Sequence, residues 1–107
     1  MYSVRKTDNY EKLFCKLLST HEQREILDFE KALAYRPYLG KPLKSPYYRE
    51  KRIDGKRIHF LIYDEFEVVL MVHISTKKTQ QEVIDGVLTA REEYKEYVKQ
   101  LVLRDRA

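Results

Sequence analysis

The chain is short of the residues that staple a fold together. It has one cysteine and no tryptophan in 107 residues, with three glycines and three prolines. A lone cysteine excludes an internal disulfide. No signal peptide is recognisable after Met1, so the expected compartment is a reducing cytoplasm. No apolar run approaches the roughly 18–20 residues that cross a bilayer, so no membrane contact is expected. Repeats and low-complexity segments are absent. The three histidines are scattered and the carboxylates lack ligand spacing, so neither a metal nor a cofactor is implied.

Hydrophobic residues make up 43% of the chain and charged residues 36%, a balance that fits one globular domain over 1–107. The net charge of +4 and the pI near 9.1 permit a nucleic acid or an acidic protein as partner. The first segment, Tyr2 to Lys6, alternates as a strand. Asp8 with Glu11, and Thr20 with Gln23, read as capping boxes opening two helices. Leu13, Phe14, Leu17 and Leu18 supply the first apolar face, with Cys15 read as core. Ile26, Leu27, Phe29, Leu33 and Ala34 supply the second. Residues 37–46 hold all three prolines and read as a loop. Strands follow over Tyr47–Ile53, Lys56–Tyr63 and Glu67–Ser75. One helix, begun by Thr79 and Glu82, then runs to the C-terminus. The order is β-α-α-β-β-β-α. It predicts an α+β fold in which the helices lie to one side of a mostly antiparallel sheet.

The Asp54-Gly55 pair marks a two-residue hairpin with positive φ at both positions. That turn fixes the register. Arg52 opposes Arg57, Glu50 opposes His59 and Ile53 opposes Lys56. Glu50, Arg52, Arg57 and His59 therefore share one face. Ile58, Phe60 and Ile62 share the other and should pack on helices, with Lys51 and Arg49 toward its margin. Two arginines about 5 Å apart destabilise a hairpin unless an anion lies between them. Glu50 is one candidate for that anion, which would make a surface network without chemistry. A phosphate is the other, since arginine forks match its oxygens. Lys77 and Lys78 precede a helix N-terminus, which also favours anions. Tyr35, Tyr38, Tyr47 and Tyr48 cluster near the start of the sheet. They either stack on bases or cover a core edge.

Several stretches together resemble the RelE/ParE superfamily of toxins. They are Leu39-Gly40-Lys41-Pro42-Leu43, Tyr48-Arg49-Glu50-Lys51-Arg52, Gly55-Lys56-Arg57-Ile58 and Lys77-Lys78-Thr79-Gln80. The Glu-x-Arg strand with Lys-Lys-Thr-Gln is most similar to the HigB-like branch. The resemblance implies a RelE-like fold and a ribosome-dependent mRNA endoribonuclease held by an acidic antitoxin. It places Glu50 and Arg52 at the family's basic pair, Arg57 at the arginine after the hairpin glycine, and Lys77 or Lys78 at the last cation. The tyrosine or histidine that many relatives carry near the C-terminus has no counterpart in Gln81–Asp85.

Metal-free RNA cleavage needs a base for the ribose 2′-hydroxyl, cations for the phosphorane and an acid for the 5′-oxygen. Arg57 and Arg52 suit the cationic role. Glu50 or His59 is the candidate base, and His73 or Lys78 the candidate acid. Arg49, Lys51, Lys56, Lys77 and His73 are the expected RNA contacts. The partners expected are an acidic antitoxin and the ribosome with its mRNA. The Val83–Val102 stripe is read first as packing on the sheet, with an antitoxin contact or a homodimer seam as its alternatives. The competing expectation is a ParE-like protein that blocks DNA gyrase by occupancy, or a toxin without catalytic power.

Overall fold

A computed structural model describes residues 1–106. The order of elements is β1 (Ser3–Lys6), α1 (Asp8–Leu17), α2 (Thr20–Tyr35), β2 (Lys41–Ser45), β3 (Tyr48–Ile53), β4 (Lys56–Tyr63), β5 (Val68–Thr76), α3 (Gln80–Thr89) and α4 (Arg91–Arg106). The expected α+β order is present, with one strand added and the last helix divided.

Both early helices start one hydroxyl upstream of the expected caps. Thr7, in extended conformation, accepts from the Tyr10 amide at 3.1 Å and opens α1. Ser19 and Glu22 form a reciprocal capping box on α2, with bonds of 3.2 and 2.8 Å. Tyr10, Leu13, Phe14, Leu17 and Leu18 carry the inner side of α1 and its end. Cys15 falls off that stripe and is exposed, contrary to its reading as core.

The sheet runs β1-β5-β4-β3-β2, with β1 parallel to β5 and the other pairs antiparallel. The added strand, β2, lies in the segment read as a loop. Its Pro42 is tolerated because β2 is an edge strand, and the pairing with β3 shifts register between Pro42 and Ser45. Gly40 leads into it at φ 83, and a Cβ there would meet the Glu50 carbonyl at 2.6 Å. Only glycine permits both the angle and that approach. The β3–β4 register is the expected one: Ile53 opposes Lys56, Arg52 opposes Arg57, and Glu50 opposes His59. The turn differs in detail, because Asp54 alone takes positive φ and Gly55 does not.

Helices cover both faces of the sheet rather than one. Ile53, Ile58, Phe60, Ile62, Val69, Met71 and Ile74 pack with Tyr10, Leu18, Ile26 and Leu33 of the α1–α2 layer. On the opposite face, Tyr48, Leu61, Leu70 and Val72 pack with Ile84 and Val87 of α3 and Val98 of α4. The near-continuous apolar run of β5 follows from this double cover. The last helix breaks at Ala90, whose amide bonds back to the Gly86 and Leu88 carbonyls. Just before it, the Thr89 hydroxyl donates to the Asp85 carbonyl at 2.9 Å, a bond that weakens a helix end.

Candidate functional site

The face that meets α3 carries the four residues grouped by the hairpin register. Their surroundings are more buried than expected. Glu50, Arg57, His59 and Ser75 are all buried, while Arg52 remains exposed. The sheet positions them: Arg57 lies opposite Arg52 on β3 and opposite Ser75 on β5, and His59 lies opposite Glu50 and His73.

Glu50 is the anion beside the arginines, but it serves only one of them. Its Oε2 accepts from Arg52 Nε at 3.1 Å, and its Oε1 accepts from Gln80 Nε2 at 2.6 Å. Gln80 is the first residue of α3, so this bond ties the helix to the middle of β3. Arg57 has no carboxylate partner among the described residues. Its Nη1 donates to the Gly55 carbonyl at 3.1 Å, and its buried Nε has no hydrogen-bond partner. The residue is only 7% exposed. A guanidinium held there without an acid carries a desolvation cost.

The Gly55 carbonyl also accepts from the Lys77 amide at 3.2 Å. The turn after β5 therefore sits against the hairpin turn, and exposed Lys77 and Lys78 flank the Arg57 end of the sheet. Thr76 and Thr79 close that turn through mutual bonds of 3.0 and 3.2 Å, so Thr79 stands at the start of α3 without capping it.

His59 is fully buried between two hydroxyls. Tyr48 Oη lies 2.7 Å from Nδ1 and Ser75 Oγ lies 2.7 Å from Nε2. Burial pushes its pKa down to about 4, against a smaller upward pull from Glu50. The ring is thus neutral, and one nitrogen donates while the other accepts. Neither is free for substrate, so the expected role of His59 as base is not supported by this geometry. Burial also pushes the Tyr48 phenol up, which keeps it a neutral partner for the ring. His73 meets His59 edge-on at 6.5 Å, and its Nδ1 accepts from the Ile74 amide at 3.0 Å. It lines a cleft of about 640 Å³ with Thr79, Glu82 and Tyr94.

Three expected RNA contacts lie away from this site, on the α1–α2 side. Lys56 Nζ donates to Glu22 at 2.6 Å, and Lys51 Nζ lies 5.5 Å from the centre of the Phe29 ring. Arg49 donates to the carbonyls of Leu39, Pro46 and Gly40 at 3.0, 3.2 and 3.0 Å. Alternation along β3 puts Arg49 and Lys51 on the face opposite Glu50 and Arg52, and Lys56 shares that face through its pairing with Ile53. Gln80, Tyr48 and Ser75 were missed as participants. The Ser75 contact depends on the β4–β5 register, which a bulge shifts between His59 and Phe60. Among the described residues no cluster of His, Cys, Asp or Glu could hold a metal ion.

Neither a protein-family model nor a curated protein matches the sequence. Solved structures do match the fold. The toxin–antitoxin complex RelBE2 of Mycobacterium tuberculosis contains a chain 24% identical, with a TM-score of 0.60; the match covers 70% of this chain and 96% of that one. A chain of the intact Escherichia coli RelBE toxin–antitoxin complex matches at 15% identity and a TM-score of 0.62, covering 71% and 96%. The isolated E. coli RelE toxin matches at 14% identity and the same TM-score, covering 81% and 99%. The five-stranded mixed sheet, with helices on both faces, is thus the RelE fold, and this chain has the fold of the RelE toxins.

Proposed function

We propose that the protein is the toxin of a toxin–antitoxin pair and cuts mRNA on the ribosome without a metal. The observation that carries this reading is Arg57: a buried guanidinium with one carbonyl bond, an unpartnered Nε and no acid among the described residues. Its opposite number, Arg52, has Glu50. A protein stabilising only its own fold gains nothing from such an arginine, whereas a phosphate-binding site does.

The chemistry follows from the groups around it. The ribose 2′-oxygen attacks phosphorus as its proton passes to a base. The bond from phosphorus to the 5′-oxygen breaks, and that oxygen takes a proton from an acid. The products are a 2′,3′-cyclic phosphate and a 5′-hydroxyl. Arg57 stabilises the charge on the phosphorane, with Arg52 adding to the field. Glu50 is the base, available once the Gln80 amide leaves it. Lys78 is the acid, with Lys77 holding the strand. His59 holds the wall of the site through Tyr48 and Ser75. The partner is an acidic antitoxin, whose charge complements the +4 of the chain. Action on mRNA implies a cytoplasmic protein, and no helix among the described residues is long and apolar enough to cross a membrane.

Primer extension on cellular mRNA after induction tests the reading. Wild type should yield new 5′-ends within codons, and Arg57→Ala should yield none while arresting no growth. Equal arrest by both proteins, without cleavage, would favour inhibition by occupancy instead. A short neighbouring reading frame encoding an acidic protein would support the pairing with an antitoxin, and co-purification of its product with this chain would test it.

A further inference from the structure

We infer a second RNA contact at the opposite end of β3 and β4 from Arg57: a groove that stacks an unpaired base of the bound strand. The inference rests on the reading that the protein acts on RNA. The groove has a volume of about 440 Å³ and lies between the β2–β3 connection and the α3–α4 junction, with Lys44, Tyr47, Tyr48, Tyr63, Arg91 and Lys95 in its lining.

Its outer wall is exposed Tyr47, braced by a fixed Tyr38 beside the groove. Tyr47 is 51% exposed and meets Tyr38 edge-on, with ring centres 6.3 Å apart. The Tyr38 hydroxyl donates to Asp64, which also accepts from Tyr2 at 2.6 Å. The Arg49 guanidinium lies 5.7 Å from the Tyr38 ring centre and is itself fixed by its three carbonyl bonds. Arg49 therefore serves this platform from beneath rather than meeting RNA. A ring already fixed loses little entropy when a base stacks on it.

The charge suits a polyanion. Lys44 and Arg91 have no carboxylate within 4 Å among the described residues, and Lys95 reaches Glu65 only at 3.5 Å. Glu92 is the one acidic residue in the lining. A peptide strand is a poorer fit, because β2 beside the groove is broken by Pro42 and a register shift. The Tyr47 carbonyl accepts from the Ile62 amide at 2.8 Å. Ile62 is five residues along β4 from Arg57, about 17 Å at the usual rise. A base at Tyr47 therefore belongs to a different nucleotide from the one cut.

The test uses the full chain and a short unstructured RNA with 2′-O-methyl riboses, which resists 2′-attack. Fluorescence anisotropy at low salt reads the affinity. Tyr47→Ala should weaken binding by about tenfold, and Tyr47→Phe should bind like wild type, because stacking does not need the hydroxyl. Lys44→Ala combined with Arg91→Ala should lower the slope of log affinity against log salt by about 1. The proposal is overturned if Tyr47→Ala binds as tightly as wild type, or if wild type does not bind. It is equally overturned if Tyr47→Ala keeps its RNA affinity and loses only an acidic antitoxin, which would make the groove a protein-docking surface. Cleavage by Arg57→Ala is scored in parallel. Persistent cleavage there, with weakened binding by Tyr47→Ala, sinks the catalytic assignment and leaves the groove standing.

Discussion

On the side of the sheet that packs on α1 and α2, cations have partners. Lys6 meets Glu30 at 3.0 Å, Lys56 meets Glu22 at 2.6 Å, Lys51 lies over Phe29 and Arg49 holds three carbonyls. Across the sheet, Arg57 is buried with one carbonyl bond and, among the described residues, no acid, beside an Arg52–Glu50 pair that excludes it. Both sides carry cations, Arg49, Lys51 and Lys56 on one and Arg52 and Arg57 on the other. What separates them is satisfaction: paired cations fasten helices to strands, and the unpaired one stores a cost that a ligand can repay. Destabilising groups are tolerated where function uses them.

Arg57→Met puts the largest strain on that contrast. It keeps most of the volume and removes the charge. Loss of one preorganised donor to a developing anion costs about 10²–10³ in rate. Cleavage should fall by that factor in a ribosome-programmed assay. Thermal stability should hold or rise, because an unpaired buried charge has been removed. A drop of Tm together with retained cleavage would mean that Arg57 is structural after all.

The same side predicts an acid sensitivity. Burial lowers the His59 pKa from its ordinary 6.5 to about 4. The unfolded chain therefore binds a proton that the folded chain refuses. Stability is fully present above pH 6.5 and is lost as the pH falls toward 4. Between pH 7 and pH 5 the loss should be about 2 kcal/mol in denaturant titrations. His59→Asn cannot titrate, so its stability should start lower and stay flatter over that range. A wild-type profile that is level from pH 7 to pH 5 would contradict the burial of a neutral ring.

Local chemistry explains what could be read in advance. Asp54-Gly55 set the hairpin, and with it the pairing of Glu50, Arg52, Arg57 and His59 on one face. Period alone also located β4, β5 and the two early helices. Long-range packing decided the rest. Glu50 holds Arg52 with one oxygen and, with the other, Gln80, thirty residues away and carried in by α3. The burial of His59 depends on α3 and α4 covering the face that also carries Glu50 and Arg57. Pro42 read as a breaker, yet an edge position let β2 form. The caps expected at Asp8 and Thr20 fall one residue upstream, at Thr7 and Ser19, whose hydroxyls do the same work.

The smallest effect expected is on the paired side, from Lys56→Met. Lys56 Nζ meets a Glu22 oxygen that also accepts from the Ser19 amide, so one carboxylate joins the β4 start to the α2 cap. The Lys56 ammonium beside it holds the Glu22 carboxyl down at about 2. Its stabilisation is present above the ordinary carboxylate pKa of about 4.5 and disappears as the pH falls through 2. Lys56 is about a quarter exposed, so screening limits the pair to about 1 kcal/mol. At neutral pH the variant should melt about 5 °C lower. The deficit should shrink as the pH falls through 2 and close below it, where Glu22 is protonated in both proteins. Cleavage should be unchanged at temperatures where both are folded. If cleavage falls while Tm does not, Lys56 meets RNA, and the division of labour between the two faces is wrong.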